Sequence, residues 1–581
     1  MGAARQVWLQ CGFGRGEAFL QAWAAWRDDP YRAARLDCIA LTSQPPQAAD
    51  LVAAHRGALE PLARALAARW PSLTRNLHRL SLDGGRCSLL LAPGPLRDTL
   101  PELRAPVDHF VIDELPDAAD PPRSARALAR LAAPLARLQS AVDSPPWRHA
   151  LASAGFELMT AGDRSPLQAV YRPRFTPRRR PAAVAFESAP EVVIVGAGLA
   201  GCALAGALAE QGWPSLLLDS AAAPAMAASG NPAGLFHGVV HGDDAPHARL
   251  HRAAALRATR AVQDAIESGQ AQGSTAGVLR LDTRGREVAA LQAELQALGL
   301  PEDYAQALSP AQAHQACGLP LSHPAWYFPG GGWVQPAALA QSYLARAGAA
   351  VRFRGGVTVQ SLARQDGRWL LLGADGRTLA TADVVVLANA NAAPGLAGLP
   401  AGLLQPVRGQ LSWYRQHEAP VDRTLQLPRL PLAGAGYLLP QVQGLAVFGA
   451  TSQVGDDTAE LRPADQTTNL QRLMQLCPAA FPTAGLVEGL VGGRVGWRCQ
   501  SPDRLPLIGA VPEAGAAPRE RLEQVPRRPG LYLFTALGSR GIAWSAFGAE
   551  LLAAQLTGAP WPLEASLARA LDPARFLRRR A

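Results

Sequence analysis

The stretch EVVIVGAGLAGCALAGALAEQGWPSLLLD, residues 191–219, decides the fold of the longer part of this chain. An apolar strand runs directly into Gly196-x-Gly198-x-x-Gly201, and a helix rich in alanine and leucine follows. The first glycine permits a tight turn, the second lets the backbone approach a pyrophosphate, and the third allows the helix to pack closely on the strand. The positive N-terminus of the helix then faces the phosphates. The stretch therefore predicts a dinucleotide site.

The second strand of the same stretch, LLLD, ends in Asp219. A carboxylate roughly 20 residues after the glycine turn is where the ribose hydroxyls of a dinucleotide are bound. Strand, turn, helix, strand and acid occur here in the expected order. This complete context makes the prediction more specific than a glycine motif alone would be.

Three segments are expected, because a chain of 581 residues is too long for one core. Residues 1–170 alternate short apolar runs, such as VWLQC, RLDCIAL and VDHFVID, with helical patterns, which is typical of a doubly wound α/β sheet. Residues 171–190 are rich in proline and arginine, which predicts a linker. Residues 191–581 contain the dinucleotide stretch and a strand-rich portion, which extends the α/β prediction to the whole chain.

The composition excludes several kinds of chemistry. All 56 basic residues are arginine, so neither a Schiff-base lysine nor a phosphate-loop lysine exists in this chain. The net charge of +9 permits a polyanionic partner such as nucleic acid, and coding bias accounts for the arginine equally well. Seven scattered cysteines without a C-x-x-C pair indicate a reducing compartment and argue against a disulfide framework or a zinc site.

We expect a cytoplasmic protein without a membrane anchor or a metal. The N-terminus lacks a long apolar core followed by small residues, and no apolar run reaches the roughly 18 residues of a membrane span. Four histidines, His237, His241, His247 and His251, lie close together in the sequence. Because no cysteine or regular carboxylate pattern accompanies them, we expect surface or loop histidines rather than metal ligands.

Three later segments favour FAD over NAD. Residues 228–234, with the letters ASGNPAG, resemble the loop that covers the pyrophosphate in flavoproteins of the amino-acid-oxidase type. VVVLANA, residues 384–390, resembles the strand that returns to the nucleotide fold, and GSRGIAWSAFGAELLA, residues 538–553, resembles the terminal glycine turn and helix. A helix N-terminus beside the flavin pyrimidine edge would stabilise the anion formed on reduction.

This resemblance implies that FAD is bound by about residues 191–260, 380–400 and 490–560, with an antiparallel substrate sheet mainly between them. The residues implied for FAD binding are Gly196, Gly198, Gly201, Asp219, Ser229, Gly230, Asn231, Gly234, Gly538, Ser539, Arg540 and Gly541.

A separate segment predicts the substrate site. GWRCQSPDRLPLIG, residues 496–509, resembles the segment of glycine oxidase and D-amino-acid oxidase in which an arginine binds the substrate carboxylate. The matching residue is Arg498, whose planar fork gives a directional, bidentate pairing. Tyr437 in GYLLP and Gln410 in RGQ lie in stretches that resemble the substrate face of the same enzymes. Either of these two could equally be a core or scaffold residue.

The motifs SGNPAG, YFPGGGWVQP, GRVGWRCQSPDRLPLIGAVP and LFTALGSRG follow an α/β portion that begins CGFGRG. Together they resemble the MnmC family, bifunctional enzymes of tRNA 5-methylaminomethyl-2-thiouridine biosynthesis. The resemblance implies that the FAD portion acts on 5-carboxymethylaminomethyl-2-thiouridine at the wobble position of the tRNA anticodon and produces 5-aminomethyl-2-thiouridine. It also implies an N-terminal methyltransferase domain that uses S-adenosylmethionine.

The N-terminal portion departs from the family's pattern. Thr42 and Pro95 stand where the family has cofactor-binding acids, and of its D-G-F-A-P-A-K-N-P loop only Asp113 and Pro121 are retained. We therefore expect a degenerate methyltransferase domain, kept for tRNA docking or packing. Two alternatives stay open at this point: a fully bifunctional enzyme, and an oxidase of free amino acids of the glycine or D-amino-acid type.

Overall fold

The computed structural model describes residues 4–159, 166–174 and 189–577. The chain divides into two compact units, the first comprising residues 1–185 and 553–569 and the second the remainder. Most of the predicted linker lies outside the described residues.

The first unit is built on an eight-stranded sheet. Its strands are β1 (Gln6–Cys11), β2 (Leu36–Thr42), β3 (His78–Leu82), β4 (Cys87–Pro93), β5 (Val107–Ile112), β6 (Ala132–Ser140), β7 (Phe156–Leu158) and β8 (Leu167–Tyr171). Its first helices are α1 (Glu17–Asp28), α2 (Ala48–Ala54), α3 (Glu60–Ala68), α4 (Leu96–Thr99), α5 (Pro121–Leu131) and α6 (Pro145–Ser153).

The strand order is β3-β4-β2-β1-β5-β6-β8-β7, and the five strands from β4 to β6 are parallel. The predicted doubly wound α/β sheet is therefore confirmed. All seven residues of β2 are buried, as a parallel strand covered on both faces requires. Two helices, α2 and α3, follow β2 in the chain. They are separated at Gly57, which has φ +65°.

The second unit contains the remaining strands and most of the remaining helices. The strands are β9 (Val192–Val195), β10 (Ser215–Leu218), β11 (Gly234–Phe236), β12 (Gly273–Ser274), β13 (Val278–Leu281), β14 (Gln306–Leu308), β15 (Ala325–Phe328), β16 (Gly332–Val334), β17 (Val351–Arg354), β18 (Ser361–Gln365), β19 (Arg368–Leu372), β20 (Thr378–Ala382), β21 (Val384–Leu387), β22 (Gln405–Arg415), β23 (Leu432–Ala433), β24 (Tyr437–Leu438), β25 (Leu445–Gly449), β26 (Gln453–Val454), β27 (Val491–Gln500), β28 (Leu507–Pro512) and β29 (Arg527–Thr535).

The helices are α7 (Leu199–Glu210), α8 (Pro246–Glu267), α9 (Val288–Leu298), α10 (Pro310–Cys317), α11 (Pro336–Ala347), α12 (Ala393–Ala397), α13 (Pro463–Leu476), α14 (Gly541–Thr557) and, among the residues of the first unit, α15 (Ala565–Ala568).

A six-stranded sheet, in the order β17-β10-β9-β21-β29-β28, forms the nucleotide-binding part of the second unit. All its pairs are parallel except β28 with β29. A nine-stranded sheet, mostly antiparallel, follows the order β14-β15-β13-β23-β24-β25-β22-β26, and β27 pairs with β22. Two three-stranded sheets, β11-β16-β12 and β18-β19-β20, complete the unit.

One face of the nine-stranded sheet packs against α13. Leu279 and Leu281 of β13, Leu438 of β24 and Leu473 of α13 belong to one buried cluster. Side chains alternate between the faces of a strand, so the residues next to these leucines lie on the opposite face. That opposite face carries Tyr437, and it has apolar side chains of its own, including Leu411 and Val447.

No helix within the described ranges is long and apolar enough to cross a membrane. All seven cysteines are free and buried.

Candidate active site

The glycine turn after β9 has the geometry that its sequence predicts. Gly196 has φ +105°. A Cβ atom on it would lie 2.7 Å from the carbonyl of Ala388, the residue that follows the neighbouring strand β21. A Cβ atom on Gly201 would overlap the carbonyl oxygen of Gly196. Neither position accepts a side chain, so the turn brings α7 against β9 as closely as backbone allows.

The N-terminus of α7 is covered by the loop that contains Ser229. The backbone N–H of Leu199 donates to the Ser229 Oγ over 3.1 Å, and a Cβ atom on Gly198 would lie 3.3 Å from the same oxygen. Gly230 and Asn231 follow Ser229 in this loop. A Cβ atom on Gly230 would lie 2.8 Å from the Arg494 Nη2, so the glycine makes room for the arginine side chain. The loop therefore lies against the N-terminus of α7, and a helix N-terminus is where a pyrophosphate binds in dinucleotide folds.

Asp219 lies at the carboxyl end of β10, beside the glycine turn. Its Oδ2 accepts a hydrogen bond from the Ala197 N–H over 2.6 Å, and its Oδ1 accepts from the Ala221 N–H over 2.8 Å. The carboxylate is thus held at the edge of the sheet next to the turn, in the position predicted for a ribose ligand.

The N-terminus of α14 lies close to the N-terminus of α7 and to Gly234. A Cβ atom on Gly541 would lie 3.7 Å from Leu199, and one on Gly234 would lie 2.7 Å from Ile542. The turn before the helix has Gly538 at φ +57°, an exposed Ser539 and the half-buried Arg540. Two helix N-termini therefore converge, and the four predicted groups of cofactor residues lie together.

These residues fit FAD. The glycine turn leaves room for a pyrophosphate, the acid stands ready for a ribose, and the α14 N-terminus offers a positive end to the flavin. In addition, the buried Oδ1 atoms of Asn389 and Asn391, on the loop after β21, have no hydrogen-bond partner among the described residues. Buried polar atoms are normally satisfied, so these two amides are suited to bind a polar ligand.

Arg498 lies on the face of the nine-stranded sheet away from α13. Its strand neighbour Trp497 points the other way and donates to the Asp456 carbonyl over 2.8 Å. The Arg498 guanidinium donates from Nη1 to the Thr451 carbonyl over 3.1 Å, and it has no acidic partner among the described residues. Burial lowers the pKa of Arg498, which nevertheless stays a cation at neutral pH.

Tyr437 lies on the same face as Arg498 and close enough to interact with its charge. Its neighbour Leu438 enters the apolar cluster under the sheet, which directs the phenol to the opposite side. Burial raises the pKa of Tyr437 to about 12, so its hydroxyl is a neutral donor. A guanidinium that has no acidic partner among the described residues is suited to pair with a carboxylate.

Gln410 is a correction to the predicted substrate face. It is fully buried, and its Nε2 donates to the Arg462 carbonyl over 3.1 Å while its Oε1 accepts from the Arg462 N–H over 2.9 Å. It pairs with Val495, which lies on the α13 side of the sheet between Arg494 and Gly496. Its amide is therefore occupied as scaffold and points away from the site.

Comparisons with known proteins agree with this geometry. The MnmC tRNA 5-methylaminomethyl-2-thiouridine biosynthesis bifunctional protein of Methylibium petroleiphilum is 44% identical over an alignment that covers 99% of this chain and 90% of that protein. The protein of the same name from Burkholderia thailandensis is 40% identical, covering 98% of this chain and 89% of its own. This chain belongs to the MnmC family.

The FAD dependent oxidoreductase family matches residues 191–555, so this MnmC family member is an FAD-dependent oxidoreductase. The crystal structure of L-proline dehydrogenase from P. horikoshii shares its fold, with a TM-score of 0.52 at 15% identity over 67% of this chain and 98% of that one. The family predicted from the motifs and the FAD cofactor are confirmed.

The histidines of the MnmC chain correct another expectation. His251 is buried, not on the surface, because α8 packs one of its faces into the unit, and His237 is buried in the loop that follows β11. The His251 Nε2 lies 3.2 Å from the His247 Nε2, and its ring meets the Trp544 ring edge-on at 5.4 Å. No group of three or more possible metal ligands occurs in the part of the chain that the structure describes.

Two residues that shape the site were not predicted from the sequence. A Cβ atom on Gly409 would lie 2.6 Å from the Arg498 Cζ, so this glycine makes room for the guanidinium. Its signal was a glycine inside a strand, which often marks a close approach. Arg472 of α13 donates to the Ala450 carbonyl near Arg498 and carried no sequence signal.

In the first unit of this MnmC chain, Thr42 and Pro95 lie together at the carboxyl edge of the sheet, where ligands bind at the strand-order reversal. The Gly94 N–H donates to the Thr42 carbonyl over 2.9 Å. The Thr42 Oγ1 accepts a hydrogen bond from the Gln44 N–H over 3.2 Å. Asp113 ends β5 and accepts from Gln10 over 2.9 Å.

Two acids could have replaced the missing ones, and the structure places both elsewhere. Asp37 lies near the amino end of β2, buried and bound to Arg5 and Ser88. Asp83 lies in the turn that leads into the amino end of β4. Both are at the edge of the sheet opposite Thr42.

Proposed function

We propose that this protein oxidises the modified wobble uridine of tRNA. Its substrate is 5-carboxymethylaminomethyl-2-thiouridine, and its product is 5-aminomethyl-2-thiouridine. The observation that carries the proposal is Arg498, a half-buried guanidinium without an acidic partner among the described residues, on the same face of the substrate sheet as Tyr437. The names of the relatives connect the family to the biosynthesis of 5-methylaminomethyl-2-thiouridine in tRNA.

The substrate is an N-substituted glycine attached to a uridine. Arg498 binds its carboxylate through the guanidinium fork, and the Tyr437 hydroxyl donates to one of the carboxylate oxygens. This pairing fixes the methylene group between carboxylate and amine, because a bidentate contact sets both position and direction. Gln410 has no part in this step.

When bound, FAD would supply the two-electron acceptor for the hydride of the methylene C–H bond. The amine nitrogen then shares a double bond with that carbon. Water adds to the carbon, the C–N bond breaks, and glyoxylate leaves while the aminomethyl group stays on the uridine. Among the residues of this chain, those at the N-terminus of α14 would stabilise negative charge on the reduced cofactor.

We further propose that the first unit does not transfer a methyl group. Neither Thr42 nor Pro95 supplies a carboxylate to the hydroxyls and amine of S-adenosylmethionine, and Asp37 and Asp83 lie at the opposite edge. This distinguishes the chain from a fully bifunctional enzyme, as the relatives are named. The first unit would then serve tRNA docking.

Nucleoside mass spectrometry tests the proposal. tRNA from a strain that lacks the gene is incubated with the purified FAD-loaded protein, and the nucleosides are compared with an untreated sample. We expect 5-carboxymethylaminomethyl-2-thiouridine to decrease and 5-aminomethyl-2-thiouridine to appear together with glyoxylate. Oxidation of free glycine or D-amino acids with unchanged tRNA would instead favour the free amino-acid oxidase.

A further inference from the structure

A second cationic group lies on the substrate face of the nine-stranded sheet. Arg280 of β13 lies between Leu279 and Leu281, whose side chains enter the apolar cluster under the sheet. Arg280 therefore points to the opposite face, together with Tyr437.

The register fixes the separation of these two residues. Arg280 pairs with Ala433, and Ala433 pairs with Tyr437, so the two lie in one row across three strands. Two strand spacings amount to about 10 Å between their backbones. Arg280 is thus on the side of Tyr437 that lies away from Arg498, because β22 and β27 are on the other side of β24.

Arg280 makes no hydrogen bond or ion pair with any described residue. The acid in its own segment, Asp282, forms its ion pair with Arg286 and acts on the Arg280 charge only from a distance. Burial and the neighbouring Arg284 lower the pKa of Arg280. A partly buried charge is costly unless it is paired, so the missing partner indicates a ligand.

Arg540 lies beside it. Its one described hydrogen bond, to the His237 carbonyl, is long at 3.5 Å. The His237 ring stacks on Phe328 at 5.3 Å, and Phe328 pairs with Val278 at the start of the Arg280 strand. Burial, and after it the charge of Arg280, lower the pKa of Arg540 to about 10, which agrees with these contacts.

We propose that Arg280, with Arg540 beside it, binds a phosphate group next to the wobble nucleotide of the tRNA substrate. The proposal rests on the function proposed above, in which the carboxylate occupies Arg498. A nucleotide extends from its carboxymethylamino end through base and ribose to its phosphate, and a free amino acid has no anion at that second position. Two guanidiniums without an acid suit a phosphate, which accepts several charge-assisted hydrogen bonds.

The test compares two substrates that differ only in phosphate. The FAD-loaded enzyme is assayed with the 5-carboxymethylaminomethyl-2-thiouridine nucleoside and with its 3′,5′-bisphosphate, and the ratio of the two kcat/KM values is measured. We expect Arg280→Gln to reduce this ratio about tenfold, since one charged phosphate contact is lost. With an anticodon stem-loop, the logarithmic salt dependence of binding should weaken by about 0.7.

Arg377→Gln is the matched control, because it removes the same charge from an exposed position between β19 and β20 and should leave the ratio unchanged. An unchanged ratio in Arg280→Gln, or an altered absorption spectrum of its bound flavin, would overturn the proposal. The second result would mean that Arg280 acts on the cofactor. If the wild-type enzyme oxidised neither substrate, the proposed function itself would fail, which is a separate outcome.

Discussion

Gly409 on β22 lies directly beneath the guanidinium of Arg498 on β27. A Cβ atom at Gly409 would lie 2.6 Å from the Arg498 Cζ, well inside van der Waals contact. The two strands pair through Gly409 and Gly496, so two glycines face each other where the arginine side chain crosses. The position of the guanidinium proposed to bind the carboxylate therefore depends on a glycine of the neighbouring strand.

Gly409→Ala should displace Arg498 without unfolding the protein. The new methyl group meets the far end of a flexible side chain, which moves more easily than backbone. We expect kcat/KM to fall at least about tenfold while FAD content and thermal stability stay close to wild type. Gly489→Ala is the control, because a Cβ atom there meets nothing within 4 Å. Equal activity of the two variants would show that the guanidinium is not held over Gly409.

Gly198→Val should abolish FAD binding. The backbone at Gly198 is extended and accepts any residue, with φ −75° and ψ −173°. The branched side chain would instead fill the space at the α7 N-terminus, where Ser229 already lies 3.3 Å from a Cβ atom. We expect a folded, colourless protein by absorption spectroscopy. Gly395→Ala, at an open position, should remain yellow, and a yellow Gly198→Val would place the pyrophosphate elsewhere.

His251 should make the second unit sensitive to acid. Burial and Arg540, with smaller effects of His247 and His237, lower the pKa of His251 to about 2. In the unfolded chain the pKa is about 6.5, so between pH 6.5 and pH 2 the unfolded state binds more protons and stability falls as pH falls. At pH 5 this one group costs about 2 kcal/mol relative to pH 7.5.

Urea unfolding at pH 7.5 and pH 5, followed by flavin fluorescence, measures this effect. In His251→Gln the loss of stability on acidification should be smaller by about 2 kcal/mol. His241→Gln, at an exposed histidine, is the control. The same pH dependence in both variants would contradict the buried neutral His251.

The first unit should not bind S-adenosylmethionine tightly. Thr42 and Pro95 leave the donors of the cofactor unpaired, at about 1–3 kcal/mol for each lost acceptor. Two such losses weaken binding by about two to four orders of magnitude. Calorimetric titration should detect no micromolar binding, and the tRNA product should be the primary amine. Micromolar binding together with methylated nucleoside would restore the bifunctional interpretation.

Features that depend on a local motif were predicted from the sequence, whereas features that depend on the pairing of distant strands were not. The turn from Gly196 to Gly201 was predicted because every constraint on it lies within one strand–turn–helix unit. Gln410 was misplaced because its face depends on the register with Val495, a residue far away in sequence. His251 was expected on the surface because the sequence does not indicate that α8 packs His251 against Trp544.

The N-terminal departures show the same limit. Thr42 and Pro95 are identified by their positions in the family's motifs. Whether Asp37 could take the place of a missing cofactor-binding acid depends on which end of β2 it occupies, and therefore on the direction of the strand. The parallel pairing of β1 with β2 answers it, since Asp37 pairs near the amino end and Thr42 closes the carboxyl end. Arg280 had no signal at all, because its significance comes from lying in a row with Tyr437 across β23.

Anaerobic reduction of the bound flavin by tRNA tests the central claim most directly. A tRNA that carries 5-carboxymethylaminomethyl-2-thiouridine should bleach the oxidised flavin of the wild-type protein, and unmodified tRNA should not. Arg498→Lys should keep its flavin but be reduced at least about 30-fold more slowly, because losing a charge-assisted pair costs about 2–5 kcal/mol. An oxidised flavin after addition of the modified tRNA, or reduction of Arg498→Lys at the wild-type rate, would contradict the account.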